Sequence, residues 1–231
     1  MPESHRQDIR DLSLFADLRE ESFDALMRGS YVQNFPPRID LITEGESPDF
    51  LHIVMSGSVD LFSTWNGRET SLSTVHPVST FILAATIKDA PYLMSARTLE
   101  KSRIILLPSE DVRTVFNTDH IFARSIVTEL SKCYRAVVKN TKNLKLRTSL
   151  ERLANYLLRH RHQRQADVFD LKIEKQRLAS YLGMTPENLS RAFKGLEPYG
   201  VNVIGTRIEI TNPEDLSRFA MPNPLIDDFT S

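Results

Sequence analysis

The sequence predicts an α+β fold in three successive parts: a small β jelly roll, one long helix and a winged helix-turn-helix. Three observations predict it. Short apolar runs with closely spaced turn signals fill residues 31–108. A helical stretch free of Gly and Pro follows over residues 119–146. Beyond it, two short helical patterns joined at a glycine lead into two short strands around a two-residue turn. The expected boundaries are 1–118 for the barrel part, 119–146 for the long helix and 147–231 for the winged part.

Taken in order, Ile9, Leu12, Leu14, Phe15, Leu18, Phe23 and Leu26 mark short helices over residues 8–28. Residues 32–35 and 40–43 read as strands leading to Glu44, Gly45 and Glu46, and residues 50–55 and 58–62 as strands flanking Ser56 and Gly57. Trp65, Asn66 and Gly67 form a hairpin turn, because Asn-Gly supplies the two positive-φ residues of a type I′ turn. Residues 71–75 and 102–107 complete the strands. Ser109 is expected to open a short helix over 109–117, with Val112 and Val115 on one face.

In the long helix, Ile126, Leu130, Cys133, Val137, Asn140 and Leu144 alternate spacings of four and three, an a/d seam. A stripe of this kind on a single helix stays wet in a monomer, so pairing with a second copy is expected; packing of the helix only onto its own barrel is the alternative. Asn140 in the seam is expected to fix register at a cost in stability.

The most informative stretch is residues 175–194. Leu178, Leu182, Met184 and Leu189 bury one face of each of two short helices, with the small Ala179 at their crossing. Gly183 sits where a left-handed residue ends the first helix. Thr185 as N-cap and Pro186 at the first helical position start the second. Its exposed face carries Glu187, Ser190, Arg191 and Lys194. An Arg there presents a two-donor fork to guanine, and a Glu accepts from the cytosine amino group. Residues 201–204 and 207–210 around Gly205 and Thr206 read as a wing, with Arg207 at its tip to meet a phosphate.

Composition narrows the class. The chain has 231 residues, 41% hydrophobic and 26% charged, as in a soluble globular protein. No run approaches the ~18 apolar residues of a membrane span, and the N-terminal residues do not resemble a signal peptide, so no membrane partner and a cytoplasmic location are expected. One cysteine, Cys133, excludes an internal disulfide and a four-cysteine metal or iron–sulfur site within one chain. The net charge of −1 excludes a polycationic packaging protein, so phosphate neutralisation must come from a local patch. Arg147, Arg152, Arg159, Arg161, Arg164, Lys172, Lys175, Arg177, Arg191, Lys194 and Arg207 are its expected members. His52 and His76 are isolated, and neither a Gly-x-Ser-x-Gly elbow nor a phosphate-cradling glycine loop occurs, so no enzyme activity is expected.

The order of jelly roll, long helix and winged helix resembles the CRP/FNR family of bacterial transcription regulators. The resemblance rests on Glu44-Gly45-Glu46, Ser56 through Phe62, Met94-Ser95-Ala96, and Glu187-Asn188-Leu189-Ser190-Arg191. It implies a homodimer on double-stranded DNA and contact with RNA polymerase. Glu187, Ser190 and Arg191 stand as in the FNR branch, which implies inverted repeats of TTGAT-like half-sites. Thr185, Arg177, Lys194 and Arg207 join them as contacts.

Two departures bear on the signal. Family members that bind cyclic AMP hold its phosphate with Gly-Glu and Arg-Ser or Arg-Thr pairs; here Leu83, Ala84 and Met94 stand at those positions. Val137 and Val138 stand where the helix would face adenine. A phosphate buried without its cation is heavily penalised, so cyclic AMP is disfavoured, as is the FNR iron–sulfur cluster. Phe81, Ile82, Leu83, Ala84, Tyr92 and Met94, with Tyr134, Val137 and Val138, form the expected effector pocket, together with Ala85, Ile87 and Leu93. An apolar lining is similar to that of DNR-type, haem-dependent nitric-oxide regulators. Haem then needs a ligand, and His52, His76, His120 and Cys133 are the candidates. A packed barrel without effector, as in FixK-type members, is the alternative.

Overall fold

The computed structural model describes residues 3–171 and 173–228. It divides into two compact units, Met1–Lys132 and Cys133–Ser231, within one long helix.

The N-terminal unit opens with α1 (Glu3–Arg10) and α2 (Glu20–Arg28). Its strands are β1 (Tyr31–Phe35), β2 (Asp40–Ile42), β3 (Phe50–Ser56), β4 (Val59–Trp65), β5 (Arg68–Val75), β6 (Ser79–Phe81), β7 (Ser95–Thr98) and β8 (Ser102–Pro108). A short helix α3 (Leu83–Lys88) lies between β6 and β7, and α4 (Ser109–Thr118) follows β8. The sheets run β1-β8-β3-β6 and β2-β7-β4-β5, all antiparallel. Apart from the β4–β5 hairpin, neighbouring strands are distant in the chain, which is the ordering of a jelly roll. β6, β7 and α3 are additions to what the sequence predicts; β6 and β7 are too short to show alternation. At the β4–β5 turn Asn66 and Gly67 both have positive φ, +49° and +73°, as the Asn-Gly pair requires.

Alternation along the strands divides the apolar side chains between two cores. Val54, Val59, Val75, Phe81, Tyr92, Ala96, Ile42 and Ile104 fill the space between the sheets. Leu51, Ile53, Ile105 and Leu107 face the other way and pack beneath Phe15, Phe23, Leu26, Val112, Val115 and Phe122. Ser109 does not cap α4 with its side chain; its N–H donates to the Asp49 carbonyl, 2.9 Å.

The long helix α5 spans His120–Leu146. Its start is fixed by Asp119, which is fully buried and accepts from the N–H groups of Ile121 (2.9 Å) and Phe122 (3.3 Å). Burial alone would raise the Asp119 carboxyl. The hydrogen bonds from Ser22 (2.6 Å), Arg19 (3.2 Å) and those two amides outweigh it and hold the pKa at about 2.

In the C-terminal unit α6 (Ser149–Arg164), β9 (Val168–Asp170), α7 (Lys175–Tyr181), α8 (Pro186–Gly195), a 3₁₀ turn (Glu197–Tyr199), β10 (Val201–Ile204), β11 (Arg207–Ile210), α9 (Pro213–Ala220) and α10 (Pro224–Asp227) follow in order. Thr148 and Glu151 form a reciprocal capping box that starts α6 two residues after α5 ends. The wing hairpin β10–β11 is joined by β9, which pairs with β11. Leu153, Leu157, Leu178, Leu189, Phe193, Ile208 and Leu216 share one core.

Candidate DNA-reading surface and sensor barrel

The helix-turn-helix forms for the reasons its residues suggest. Gly183 has φ +62°, and its N–H and that of Met184 close the end of α7 on Ser180 and Ala179 carbonyls, both 2.9 Å. A Cβ at this position would also come within 2.7 Å of Leu144 Cδ2, a side-chain end that can shift aside, so the left-handed backbone is what favours glycine. Thr185 is extended and its Oγ1 accepts from the Asn188 N–H, 3.3 Å, with Pro186 at the first helical position. Leu189, Ala192 and Phe193 are buried beneath α8. Glu187, Ser190, Arg191 and Lys194 are left exposed on its other side.

This exposed row is internally organised. A hydrogen bond from Thr185 depresses the Glu187 carboxyl first, followed by the residue's own N–H and the nearby Arg191 charge. An anion at a helix N-terminus is also favoured by the helix dipole. Arg191 Nη2 donates to Asn188 Oδ1 one turn back. Ser190 Oγ donates to the Pro186 carbonyl, 3.1 Å, which leaves its lone pairs as the outward-facing function. Asn188, which the sequence offers only as a member of the Glu187–Arg191 motif, joins this surface through the hydrogen bond it accepts from Arg191.

At the wing, Arg207 is exposed and pairs with Ile204 across the turn at Gly205, φ +65°. Arg177 on α7 is half-buried with its Nε out of solvent. Several expected members of the basic patch are committed elsewhere. Arg147 pairs with Asp227, and Arg152 is buried, donating to the carbonyls of Leu182 (2.7 Å), Arg147 (2.6 Å) and Gly183 (3.3 Å). Arg161 pairs with Asp167 at 2.5 Å, and Arg164 donates to the Asp170 carbonyl at 2.6 Å. Arg147 and Arg152 are therefore structural cations. Lys172 lies outside the described residues.

Within the N-terminal unit, the expected effector-pocket residues fall in different layers. Phe81 and Tyr92 are in the barrel core and Ile82 packs against it, but Leu83 joins the helical layer on the other side of β3. Ala84 and Leu93 are exposed and Met94 is half-buried. Ile82 turns the chain with φ +60°, so Leu83 points away from Phe81's core. Tyr134, Val137 and Val138 belong to the C-terminal unit and are exposed on α5. Ser95, beside Met94, is already engaged: its Oγ accepts from the Glu44 N–H, 3.0 Å. Gly45 N–H to Tyr92 carbonyl (2.8 Å) and Tyr92 N–H to Glu46 carbonyl (2.9 Å) clamp the same turn.

Among the haem-ligand candidates, His76 and His120 are exposed at the end of β5 and the start of α5. Cys133 is exposed on α5. His52 alone is interior, 3% exposed, stacked on Phe81 with ring centroids 5.0 Å apart. Burial lowers its pKa to about 4, and its Nδ1 has no hydrogen-bond partner among the described residues. With Phe81 flat against the imidazole and Val54, Tyr92 and Ile104 filling the same core, these residues do not fit a haem.

The seam expected on α5 is corrected at its first half. Ile126 is fully buried in the helical core of the N-terminal unit and unavailable to a second chain, and Leu130 is half-buried against the same core. Leu144 reaches the Gly183 turn. The exposed large apolar residues of α5 are Val127, Tyr134, Val137, Val138, Leu144 and Leu146, so the seam positions Val137 and Leu144 stay in solvent beside Tyr134 and Val138.

A helix-turn-helix with a charged, solvent-facing second helix and a wing, following a jelly roll and a long helix, defines a winged-helix DNA-binding regulator. The comparisons agree. Residues 32–119 match the cyclic nucleotide-binding domain, and residues 151–219 match the Crp-like helix-turn-helix domain. The Thermus thermophilus cyclic AMP receptor protein is 26% identical over 195 residues, 83% of this chain and 88% of that one. The Pseudomonas aeruginosa transcriptional activator protein anr is 23% identical over 231 residues, 95% of this chain and 94% of that one. The structure of FixK2 from Bradyrhizobium japonicum shares the fold, with a TM-score of 0.67 at 20% identity, covering 82% of this chain and 96% of that one. The chain belongs to the CRP/FNR family of transcription regulators. Among the described residues, no helix is long and apolar enough to cross a membrane.

Proposed function

We propose that the chain acts in the cytoplasm as a homodimer that binds inverted repeats of TTGAT-like half-sites and contacts RNA polymerase from there. Each α8 lies in a major groove, with half-site centres about 34–36 Å apart. Arg191 and Glu187 read base edges, Ser190 contributes an acceptor, and Thr185 fixes the N-terminus of the reading helix. Lys194, Arg207 and Arg177 hold phosphates. The observation that carries this reading is the preorganised row on α8, where Glu187 and Arg191 are each held by a neighbour while facing solvent. The second copy pairs along Val127, Tyr134, Val137 and Val138, with Cys133 and Asn140 nearby on the same helix.

The packed barrel core favours the FixK-like alternative, regulation without a bound cyclic nucleotide or haem. Cyclic AMP at micromolar concentration is expected to leave both the melting temperature and operator affinity unchanged. Haemin titration is expected to give no sharp Soret band at one haem per chain. Either ligand effect overturns the effector-free reading and leaves the DNA reading standing. For the latter, Arg191→Ala should lose about 1–3 kcal/mol on the cognate site and relax specificity at one base pair, while Lys194→Ala weakens all sequences about equally. Equal losses on cognate and random DNA for both variants would remove the assigned roles.

A further inference from the structure

The segment after α9 has no part in base reading, yet it is firmly held. α10 returns to the end of α5 within the C-terminal unit. Arg147, the first residue beyond α5, makes a two-pronged pair with Asp227: Nη1 to Oδ1 at 2.6 Å and Nη2 to Oδ2 at 2.7 Å. The Arg147 side chain is 8% exposed and that of Asp227 23%. Asp227 Oδ2 also accepts from the Asn223 N–H, 2.6 Å, and Lys139 Nζ donates to the Asp228 carbonyl. Ile226 is buried. With Asn140, Asn143, Asn155 and Tyr156 it lines a cavity of only about 20 Å³, room for about one water.

The other side of the same joint is tied by Arg152. Its guanidinium links the carbonyls of Leu144 (3.4 Å) and Arg147 (2.6 Å) to those of Leu182 and Gly183 in the helix-turn-helix. Asn155 Nδ2 donates to the Ala220 carbonyl, 2.7 Å, fastening the root of the tail to α6. The two residues between α5 and α6 are thus braced from two directions.

We propose that α10 is a positioning clasp: Asp227 and Ile226 lock the winged domain onto the last turns of α5, so that each reading helix is carried at one fixed angle and the dimer accepts one half-site spacing. This rests on the DNA-reading dimer proposed above. A two-residue linker without such a brace swivels, and a swivelling domain reaches half-sites at several spacings. Bidentate Arg–carboxylate pairs fix geometry as well as proximity. The clasp residues touch no DNA; they act through the position of α8.

The test uses the full chain and a panel of inverted repeats whose spacer differs by one or two base pairs. Wild type is expected to prefer one spacing by about tenfold or more. Asp227→Asn and, separately, Ile226→Asp should flatten that preference to about twofold while leaving affinity for a single half-site unchanged. A second readout needs no DNA. Tryptic cleavage between Lys145 and Arg152 should be about tenfold faster in Asp227→Asn, at unchanged cleavage elsewhere. Variants that keep the wild-type spacing preference overturn the clasp. If wild type itself shows no preference for inverted repeats, the DNA reading fails, and unchanged cleavage at the joint then overturns the clasp as well.

Discussion

His52 and Asp119 show how a single side chain sets the acid behaviour of this molecule. His52 is buried neutral, with a folded pKa of about 4 against 6.5 for a free imidazole. Between those values the unfolded chain binds more protons than the folded one, so stability falls as pH drops from 6.5 towards 4. His160, depressed to about 4 by burial and then by Arg164 and Arg159, adds to the same window. His52→Leu should flatten the pH dependence of the melting temperature over that range, leaving the part due to His160; an unchanged slope would contradict the buried imidazole. Asp119 acts lower. Its folded pKa of about 2 lies below the ordinary 3.8, so its contribution is complete above about pH 4 and lost as pH falls towards 2. Asp119→Ala removes the cap of α5 and a partner of Ser22 and Arg19, at a cost of about 2 kcal/mol read by urea unfolding at pH 7. The bases of Thr185, Gly183 and Pro186 were legible from residue type alone, because only a few residues suit those backbone positions. Asn188 and Arg152 were not, because their value depends on which atoms folding brings beside them.

At the scale of elements, α5 carries the most consequential correction. Its length was legible from the absence of Gly and Pro, whereas the capping role of Asp119 at its start was not read from the sequence. Of its expected seam, Cys133, Val137, Asn140 and Leu144 are exposed, while Ile126 is buried and Leu130 half-buried. The heptad pattern starting at Ile126 is real, but Ile126 and Leu130 spend it on the helical layer of their own unit. Periodicity identifies an apolar face without naming what covers it. The face left in solvent includes Tyr134 at 71% and Val137 at 63% exposure. Val137→Glu should therefore convert the proposed dimer to monomers by sedimentation without lowering the melting temperature of either unit. A dimer that survives that charge would place the contact elsewhere. Gly183→Ala meets both a left-handed backbone and Leu144. It should destabilise the winged unit by at least about 1 kcal/mol. The strands β6 and β7 escaped sequence reading for a plain reason: three or four residues show no usable alternation.

Across the whole molecule, the same chain order that places it in the CRP/FNR family also separates what is conservative in it from what is particular. The jelly roll, long helix and winged domain follow from pattern. The barrel's function does not, because an apolar run reads alike whether it lines a ligand or fills a core. Here Phe81, Tyr92, His52 and Ile104 take the filling role, and Ser95 is turned to the Glu44 turn. The DNA-reading dimer is tested most directly by titrating the purified protein onto a duplex with inverted TTGAT-like half-sites and onto its scrambled counterpart, with stoichiometry measured on the complex. The account predicts two chains per duplex and a preference on the order of 10³-fold for the inverted repeat. One chain per duplex, or equal affinity for both sequences, would contradict it.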